Sequence, residues 1–171
     1  TDPLMCETLV GGSKEAMFWM GEKGIKFVPI YGRQAFEVDG IFKFWGGLAL
    51  ESWGGGEGLV DQHRGIAIKE GVEIVYGARV YELIYDGIEV TGVRFKCNNK
   101  LEEVNAKSVV IAAGGFQANS EMRTRYLGPG WELAKVRGTR FNTGDGISMA
   151  LDIGAMPFGN WSGCHAVGWE L

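Results

Sequence analysis

Apolar side chains recur at helical spacing in the first half of the chain. Within residues 57–70 they fall three and four positions apart, at Leu59, Val60, His63, Ile66 and Ala67. This pattern predicts a helix with one apolar face, and Gly71 marks its end. Because His63 lies on the apolar face, a core histidine is favoured over a ligand at this position.

A longer helix is predicted before it, over residues 4–23. Asp2 is of a residue type that caps helix starts. Gly24 is suited to the C-terminal stop. The glycine pair Gly11-Gly12 raises the expectation of a break inside the helix, since glycine is a poor helix former.

Residues 79–106 alternate in the manner of antiparallel strands. Two turn dipeptides, Asp86-Gly87 and Asn98-Asn99, separate three extended pieces. The pieces cover residues 79–85, 90–97 and 101–106. This arrangement predicts a meander of hairpins.

The remaining extended segments are less regular. Short strands are predicted at residues 25–28 and 72–76, and an ordered loop with short strands is predicted at residues 31–50. Residues 107–113 form a continuous apolar run, which is typical of a strand buried on both faces. Further helices are predicted from Asn119 or Ser120 to near Leu127 and over residues 147–153.

Glycine is the clearest departure from an average composition, at 28 of 171 residues against a typical share of about 7%. These glycines do not form a linker. They cluster at the ends of apolar segments, at Gly46-Gly47, Gly54-Gly55-Gly56, Gly114-Gly115, Gly144 and Gly146. At such positions glycine permits a sharp turn or the close approach of a ligand.

Charge, hydropathy and cysteine spacing exclude several classes of function. The net charge is -4, and the scattered Lys and Arg form no basic patch for a nucleic acid. No apolar run approaches the roughly 20 residues of a membrane span. Cys6, Cys97 and Cys164 are far apart, which argues against a disulfide framework or a zinc site and favours a cytoplasmic setting.

Two glycine-rich turns are candidates for a nucleotide site. Gly114-Gly115 follow the apolar run, where a buried strand brings backbone amides to its carboxyl end. Residues 142–146 form a helix entrance whose free N–H groups suit phosphate, and the Asp145 carboxylate can accept a hydrogen bond from a ribose or ribityl hydroxyl. By itself, the first turn is equally well explained as a tight turn after a core strand, and the second is better explained as an Asp cap in a glycine turn. Together they favour a nucleotide, although no G-x-G-x-x-G follows a strand.

His165 is a candidate for binding a carboxylate. It lies beside Cys164 in a loop with Trp161 and Trp169, and a protonated histidine among aromatics can hold an anion. The spacing alone favours a structural histidine with one partner. The aromatic and glycine-rich residues 42–47 fit packing against a planar ring and ordinary packing equally well.

The order of these motifs resembles the FAD-binding domain of the fumarate reductase/succinate dehydrogenase flavoproteins. The stretches that match are residues 55–60, 71–74, 78–80, 109–116 and 142–150. Residues 112–116 look like the branch with soluble fumarate reductases and ketosteroid dehydrogenases. Three motifs are similar to tricarballylate dehydrogenases: Phe44-Trp45-Gly46-Gly47, Tyr126-Leu127-Gly128-Pro129-Gly130-Trp131 and Gly163-Cys164-His165-Ala166-Val167.

The resemblance implies an α/β fold and a set of site residues. The fold is a partial, Rossmann-like FAD-binding domain with a three-stranded antiparallel meander, lacking its N-terminal βαβ unit. Residues 1–171 are then its middle section, without the dinucleotide-binding unit or the capping region, and inactive alone. The implied FAD contacts are Val80, Ala113, Gly114, Gly115, Thr143, Gly144 and Asp145. His165 is the implied substrate contact, with Ala166 in place of the family's usual proline.

The resemblance also implies a reaction and partners. The parent enzyme would remove a hydride beside a carboxylate of a small polycarboxylate such as tricarballylate, with FAD as acceptor, or run this reaction in reverse. A membrane-bound iron–sulfur protein would receive the electrons. The alternatives are the flavin component of an aerobic precorrin-3B synthase, a ketosteroid dehydrogenase, and a non-catalytic module that binds a nucleotide or a protein through exposed aromatics.

Overall fold

The computed structural model describes residues 2–46 and 49–166. Gly47, Val167 and Trp169, which belong to the motifs above, lie outside the described residues. The chain divides into two compact units, Asp2–Ile74 and one that begins at Val75.

The first unit opens with helix α1, Pro3–Lys23. The Asp2 carboxylate caps it by accepting hydrogen bonds from the backbone N–H groups of Leu4 and Met5, at 2.9 and 3.3 Å. Gly24 ends it in a left-handed conformation. The predicted caps are confirmed, but the predicted break at residues 11–12 is wrong, because α1 runs through both glycines. Glycine in a helix costs only about 1 kcal/mol relative to alanine, which a 21-residue helix tolerates.

Two small antiparallel sheets and a short helix follow. Strand β1 (Phe27–Pro29) pairs with β4 (Leu50–Ser52), and β2 (Ala35–Val38) forms a hairpin with β3 (Ile41–Phe44). Helix α2 (Tyr31–Gln34) precedes the hairpin. The prediction of an ordered loop with short strands over residues 31–50 is confirmed for the described part of that segment.

Helix α3, Gly55–Lys69, closes the first unit. Its Gln62 side chain accepts a hydrogen bond from the Lys26 N–H at 2.7 Å and donates one to the Gly58 carbonyl at 2.9 Å. Leu59 is half-buried, as its place in the apolar pattern predicts. His63 is exposed, so its interpretation as a core histidine is wrong. The apolar face of α3 is only partly covered within this chain.

The second unit begins with the predicted meander. Strands β5 (Arg79–Tyr85), β6 (Val90–Cys97) and β7 (Lys100–Asn105) pair antiparallel in that order. Leu83 is buried at the centre of β5. The Asp86 carboxylate accepts hydrogen bonds from the N–H groups of the turn that follows β5.

Two predicted strands are absent. Residues 72–76 and 107–113 form no strand, and Val110 is 88% exposed. An apolar run becomes a buried strand only where neighbouring strands complete its hydrogen-bond ladder, and none of the described strands pairs with either segment. All strand pairs in the described part of the chain are antiparallel.

Three short helices complete the second unit. They are α4 (Ser120–Leu127), a 3₁₀ turn (Trp131–Leu133) and α5 (Asp145–Asp152). The bounds of α4 and its Asn119 cap are those predicted. Met122 of α4 and Met149 of α5 are buried, and α5 packs against β5. The core of this unit therefore lies beneath α4 and α5, next to the two glycine-rich turns.

Candidate functional site

Backbone hydrogen bonds join the two glycine-rich turns. The Gly144 N–H donates to the Gly115 carbonyl at 3.1 Å, and the Ala118 N–H donates to the Asn142 carbonyl at 2.9 Å. The turns are about thirty residues apart in sequence, so neither periodicity nor local turn chemistry dictates this contact. The structure thus brings Gly114-Gly115 and residues 142–146 into one site.

The Asn119 side chain also links the two glycine-rich turns, whose contact region is called the junction below. Its Oδ1 accepts a hydrogen bond from the Met122 N–H at 3.1 Å and so caps α4. Its Nδ2 donates to the Thr143 carbonyl at 2.9 Å. One amide thereby sets the start of α4 and the position of the second turn. The sequence predicted the cap but not the bridge, because the acceptor lies 24 residues away.

Close packing explains two of the glycines without a ligand. Gly144 is buried and has φ of +81°, and a Cβ added there would lie 2.5 Å from Met122 Sδ. A Cβ on Gly146 would lie 2.6 Å from Ile111 Cγ2 and 3.0 Å from Ala113 Cβ. Residues 111–113 therefore press against the start of α5. Protein packing therefore requires glycine at both positions, and the predicted FAD contact of Gly144 stays a prediction.

Asp145 is held from two sides. Its Oδ1 accepts a hydrogen bond from the Thr143 hydroxyl at 2.8 Å. Its Oδ2 accepts from Nε and Nη2 of Arg79, at 3.2 and 3.1 Å. Arg79 precedes Val80 at the start of β5. The ion pair between Arg79 and Asp145 therefore connects the start of the meander to the second glycine-rich turn. Sequence reasoning missed Arg79, whose only signal was its place next to Val80.

His165 lies apart from these contacts. It is exposed, as is Cys164 beside it. Among the described residues, no hydrogen bond or ion pair involves the His165 side chain. The predicted role of a buried structural histidine is therefore wrong, and the predicted role as an anion ligand stays a prediction.

The alternative of a binding module depends on the exposure of four tryptophans, two in each unit. In the first, Trp45 and Trp53 are 74% and 62% exposed. In the second, Trp131 and Trp161 are half-buried. Of these four tryptophans, Trp45 and Trp53 are the more accessible to another molecule.

Among the described residues, the pKa values of three ionisable side chains are shifted, and each shift reflects a contact within the fold. Backbone N–H groups of Glu89 and Ile88 lower the pKa of Asp86. The Glu103 and Glu82 carboxylates raise the pKa of Arg94. The pKa of Glu132 is lowered by its own backbone N–H, then by the Thr124 hydroxyl.

The residues at the junction fit a nucleotide cofactor. Ala112, Ala113 and Gly114 are exposed and present backbone with little side chain, so an extended ligand can approach the main chain. The Asp145 side chain is 33% exposed and keeps lone pairs for a hydroxyl donor. In the described residues no group of three or more His, Cys, Asp or Glu side chains is placed to hold a metal ion.

Comparison with known protein families identifies the nucleotide cofactor. Residues 1–164 match the family described as FAD binding domain. The chain belongs to that family. FAD is therefore the cofactor, as predicted, whereas the individual FAD contacts stay predictions.

Relatives of known name narrow the class. The chain is 30% identical over 155 residues to the NADH:fumarate oxidoreductase of Klebsiella pneumoniae (strain 342), covering 90% of this chain and 16% of that protein. It is 28% identical over 157 residues to the NADH:acrylate oxidoreductase of Vibrio harveyi, covering 88% of this chain and 15% of that protein. The chain thus spans less than a fifth of the length of these relatives.

Solved structures give the same class. The chain matches a flavocytochrome c3 fumarate reductase in its open conformation with a TM-score of 0.66 and 25% identity, covering 85% of this chain and 25% of that chain. It matches the 3-ketosteroid delta1-dehydrogenase of Sterolibacterium denitrificans with a TM-score of 0.56 and 32% identity, over 63% of this chain and 20% of that chain.

These matches confirm the predicted fold, a partial FAD-binding domain carrying a three-stranded meander. They also confirm the FAD-dependent fumarate reductase/succinate dehydrogenase flavoprotein class. Within the described residues, no helix is both long and apolar enough to span a membrane.

Proposed function

We propose that this chain is the middle section of an FAD-dependent oxidoreductase that desaturates or reduces a small polycarboxylate such as tricarballylate. The observation that carries the proposal is the hydrogen-bonded junction between Gly115 and Gly144, in a chain of the FAD binding domain family. The names of two relatives, which refer to fumarate and acrylate, support a small unsaturated or saturated acid.

The chain's own residues would hold the cofactor along one strip. Backbone of Ala113, Gly114 and Gly115 would face its nucleotide half, and Val80 would contact the adenine side. Thr143, Gly144 and Asp145 would contact it from the second turn. Arg79 and the Thr143 hydroxyl hold the Asp145 carboxylate in place, and its remaining lone pairs can accept a hydrogen bond from a hydroxyl group of the cofactor. When bound, the flavin supplies the hydride acceptor or donor.

His165 would bind a substrate carboxylate. In its protonated form imidazole donates two hydrogen bonds and carries the charge that a carboxylate requires. His165 is exposed, and its side chain has no hydrogen bond or ion pair to another described residue, so its ring nitrogens can meet a ligand. A polycarboxylate needs further cations, which other parts of the protein would supply.

The direct test uses the full-length protein that contains this chain. We would bind FAD, record the visible spectrum and add tricarballylate without oxygen. Bleaching of the flavin supports the proposal. In a second experiment the flavin is reduced chemically and fumarate is added. The polycarboxylate assignment would be contradicted if tricarballylate leaves the flavin oxidised and fumarate reoxidises the reduced flavin no faster than buffer does.

We predict that His165→Asn raises KM for the polycarboxylate roughly 10- to 100-fold, because a hydrogen bond to a charged group contributes about 1.5–3 kcal/mol. We expect FAD content to stay unchanged. His63→Asn is the matched control, since His63 is also exposed and has no proposed role. Equal KM values for the two variants would remove His165 from the substrate site.

A steroid substrate is the second candidate. The 3-oxosteroid 1-dehydrogenase of Comamonas testosteroni is 39% identical over 75 residues, covering 43% of this chain and 13% of that protein. This match is higher in identity but shorter than the match to the fumarate oxidoreductase. Flavin bleaching by a 3-oxosteroid but not by tricarballylate would favour it. Oxygen consumption with a tetrapyrrole would instead favour the precorrin-3B synthase alternative.

A further inference from the structure

Three aromatic rings form a cluster between the first glycine turn and the loop that carries His165. Phe116, Tyr126 and Trp161 make up this aromatic cluster. The Tyr126 and Trp161 ring centroids are 4.7 Å apart, those of Phe116 and Tyr126 are 5.5 Å apart, and those of Phe116 and Trp161 are 6.4 Å apart. All three residues are half-buried, and these separations are typical of attractive ring pairs.

Each ring comes from a different part of the candidate site. Phe116 directly follows Gly114-Gly115, and its Cβ lies 3.0 Å from the place where a Cβ on Gly144 would stand. Tyr126 is on α4, the helix that Asn119 caps. Trp161 is four residues before His165. The cluster therefore ties the loop to both glycine turns.

Trp161 is itself fixed within its loop. Its Nε1 donates to the Phe158 carbonyl at 3.1 Å. The Asn160 Oδ1 accepts hydrogen bonds from the N–H and hydroxyl of Ser162, at 3.0 and 2.8 Å. These contacts are all internal to residues 158–162. Among the described contacts, the two ring pairs of Trp161 are those that link this loop to the rest of the unit.

We infer that Trp161 is a positioning residue, which sets where His165 stands relative to the flavin turns by docking its loop on Phe116 and Tyr126. The inference rests on the proposed function for His165 and goes beyond it, since it assigns a role to a residue that the proposed function does not use. If the rings hold the loop, removing one ring frees it without altering the FAD contacts themselves.

The test compares Trp161→Ala with Trp161→Phe in the full-length protein. The phenylalanine variant keeps a ring for the Tyr126 contact and loses only the indole N–H. Hydrogen exchange over residues 117–127 and 158–166, measured by mass spectrometry with FAD bound, reports loop docking independently of activity. Steady-state kinetics with tricarballylate report KM and kcat separately.

Trp161→Ala is expected to exchange several-fold faster in both segments and to raise KM about tenfold, with FAD content and kcat changed less than KM. Trp161→Phe is expected to keep the exchange rates and the KM close to those of the wild type. Exchange in Trp161→Ala that equals wild type would overturn the inference, whatever the substrate. Faster exchange with an unchanged KM would overturn the positioning role. If the wild-type protein is inactive on polycarboxylates, the proposed function is contradicted instead. The hydrogen-exchange data would still show whether Trp161 docks the loop.

Discussion

Replacing Arg123 with methionine is expected to destabilise the second unit by about 2–4 kcal/mol, because it leaves several partly buried carbonyls without a donor. Arg123 is 7% exposed. Its guanidinium donates to the carbonyls of Gln117 at 2.5 Å and Trp131 at 2.8 Å, and to those of Glu132 and Ala134 at 3.0 and 3.4 Å. One side chain thus holds the chain after the first glycine turn against residues 131–134.

Arg125→Met is the matched control for this prediction. Arg125 lies on the same helix and is 62% exposed, and its one ion pair among the described residues is with Glu121, four residues before it. An exposed pair of this kind contributes roughly 0.3–0.5 kcal/mol. Thermal unfolding of the FAD-bound full-length variants should show a clear loss for Arg123→Met and little change for Arg125→Met. Equal melting temperatures would show that the Arg123 network does not stabilise the fold.

Replacing Gly144 with alanine is expected to cost about 2–4 kcal/mol and to weaken FAD binding. The positive φ of +81° costs a non-glycine residue about 1 kcal/mol. The new Cβ would also meet Met122 Sδ at 2.5 Å and Phe116 Cβ at 3.0 Å, and overpacking of this kind adds about 1–3 kcal/mol. The clash lies where the two turns join, so relief by movement would separate them.

Gly154→Ala separates the two contributions. Gly154 has φ of +92°, but a Cβ there meets nothing within 4 Å. It therefore carries the conformational cost alone. The FAD dissociation constant and the melting temperature should both change more for Gly144→Ala than for Gly154→Ala. Identical values for the two variants would contradict the packing role assigned to Gly144.

The local elements were predictable because their causes are local. The Asp2 and Asn119 caps and the Asp86-Gly87 turn each act within a few residues, so α1, α4 and the meander follow from sequence. Residues 107–113 were mispredicted because a buried strand depends on neighbouring strands that the described residues do not provide. The apolar pattern of residues 109–111 indicates a covered environment that this chain alone does not create.

The candidate site was predicted only in outline. The two glycine turns stood out in the sequence, and the family resemblance placed both at FAD. The contacts that join them did not stand out, because Arg79 and Asp145 are 66 residues apart. Nothing in the sequence distinguished Arg123 from an ordinary exposed charged residue of a short helix. The long-range partners of flexible side chains depend on the folded structure, and the spacing of residues in the sequence does not reveal them.

FAD retention by the full-length protein tests the central claim most directly. The protein would be incubated with FAD, passed through a desalting column and examined by visible absorption, beside its Gly144→Ala variant. We predict a bound oxidised flavin spectrum for the wild type and a smaller flavin content for the variant. A wild-type protein that folds but retains no flavin would contradict the cofactor site, and the exposed Trp45 and Trp53 would then favour a non-catalytic binding module.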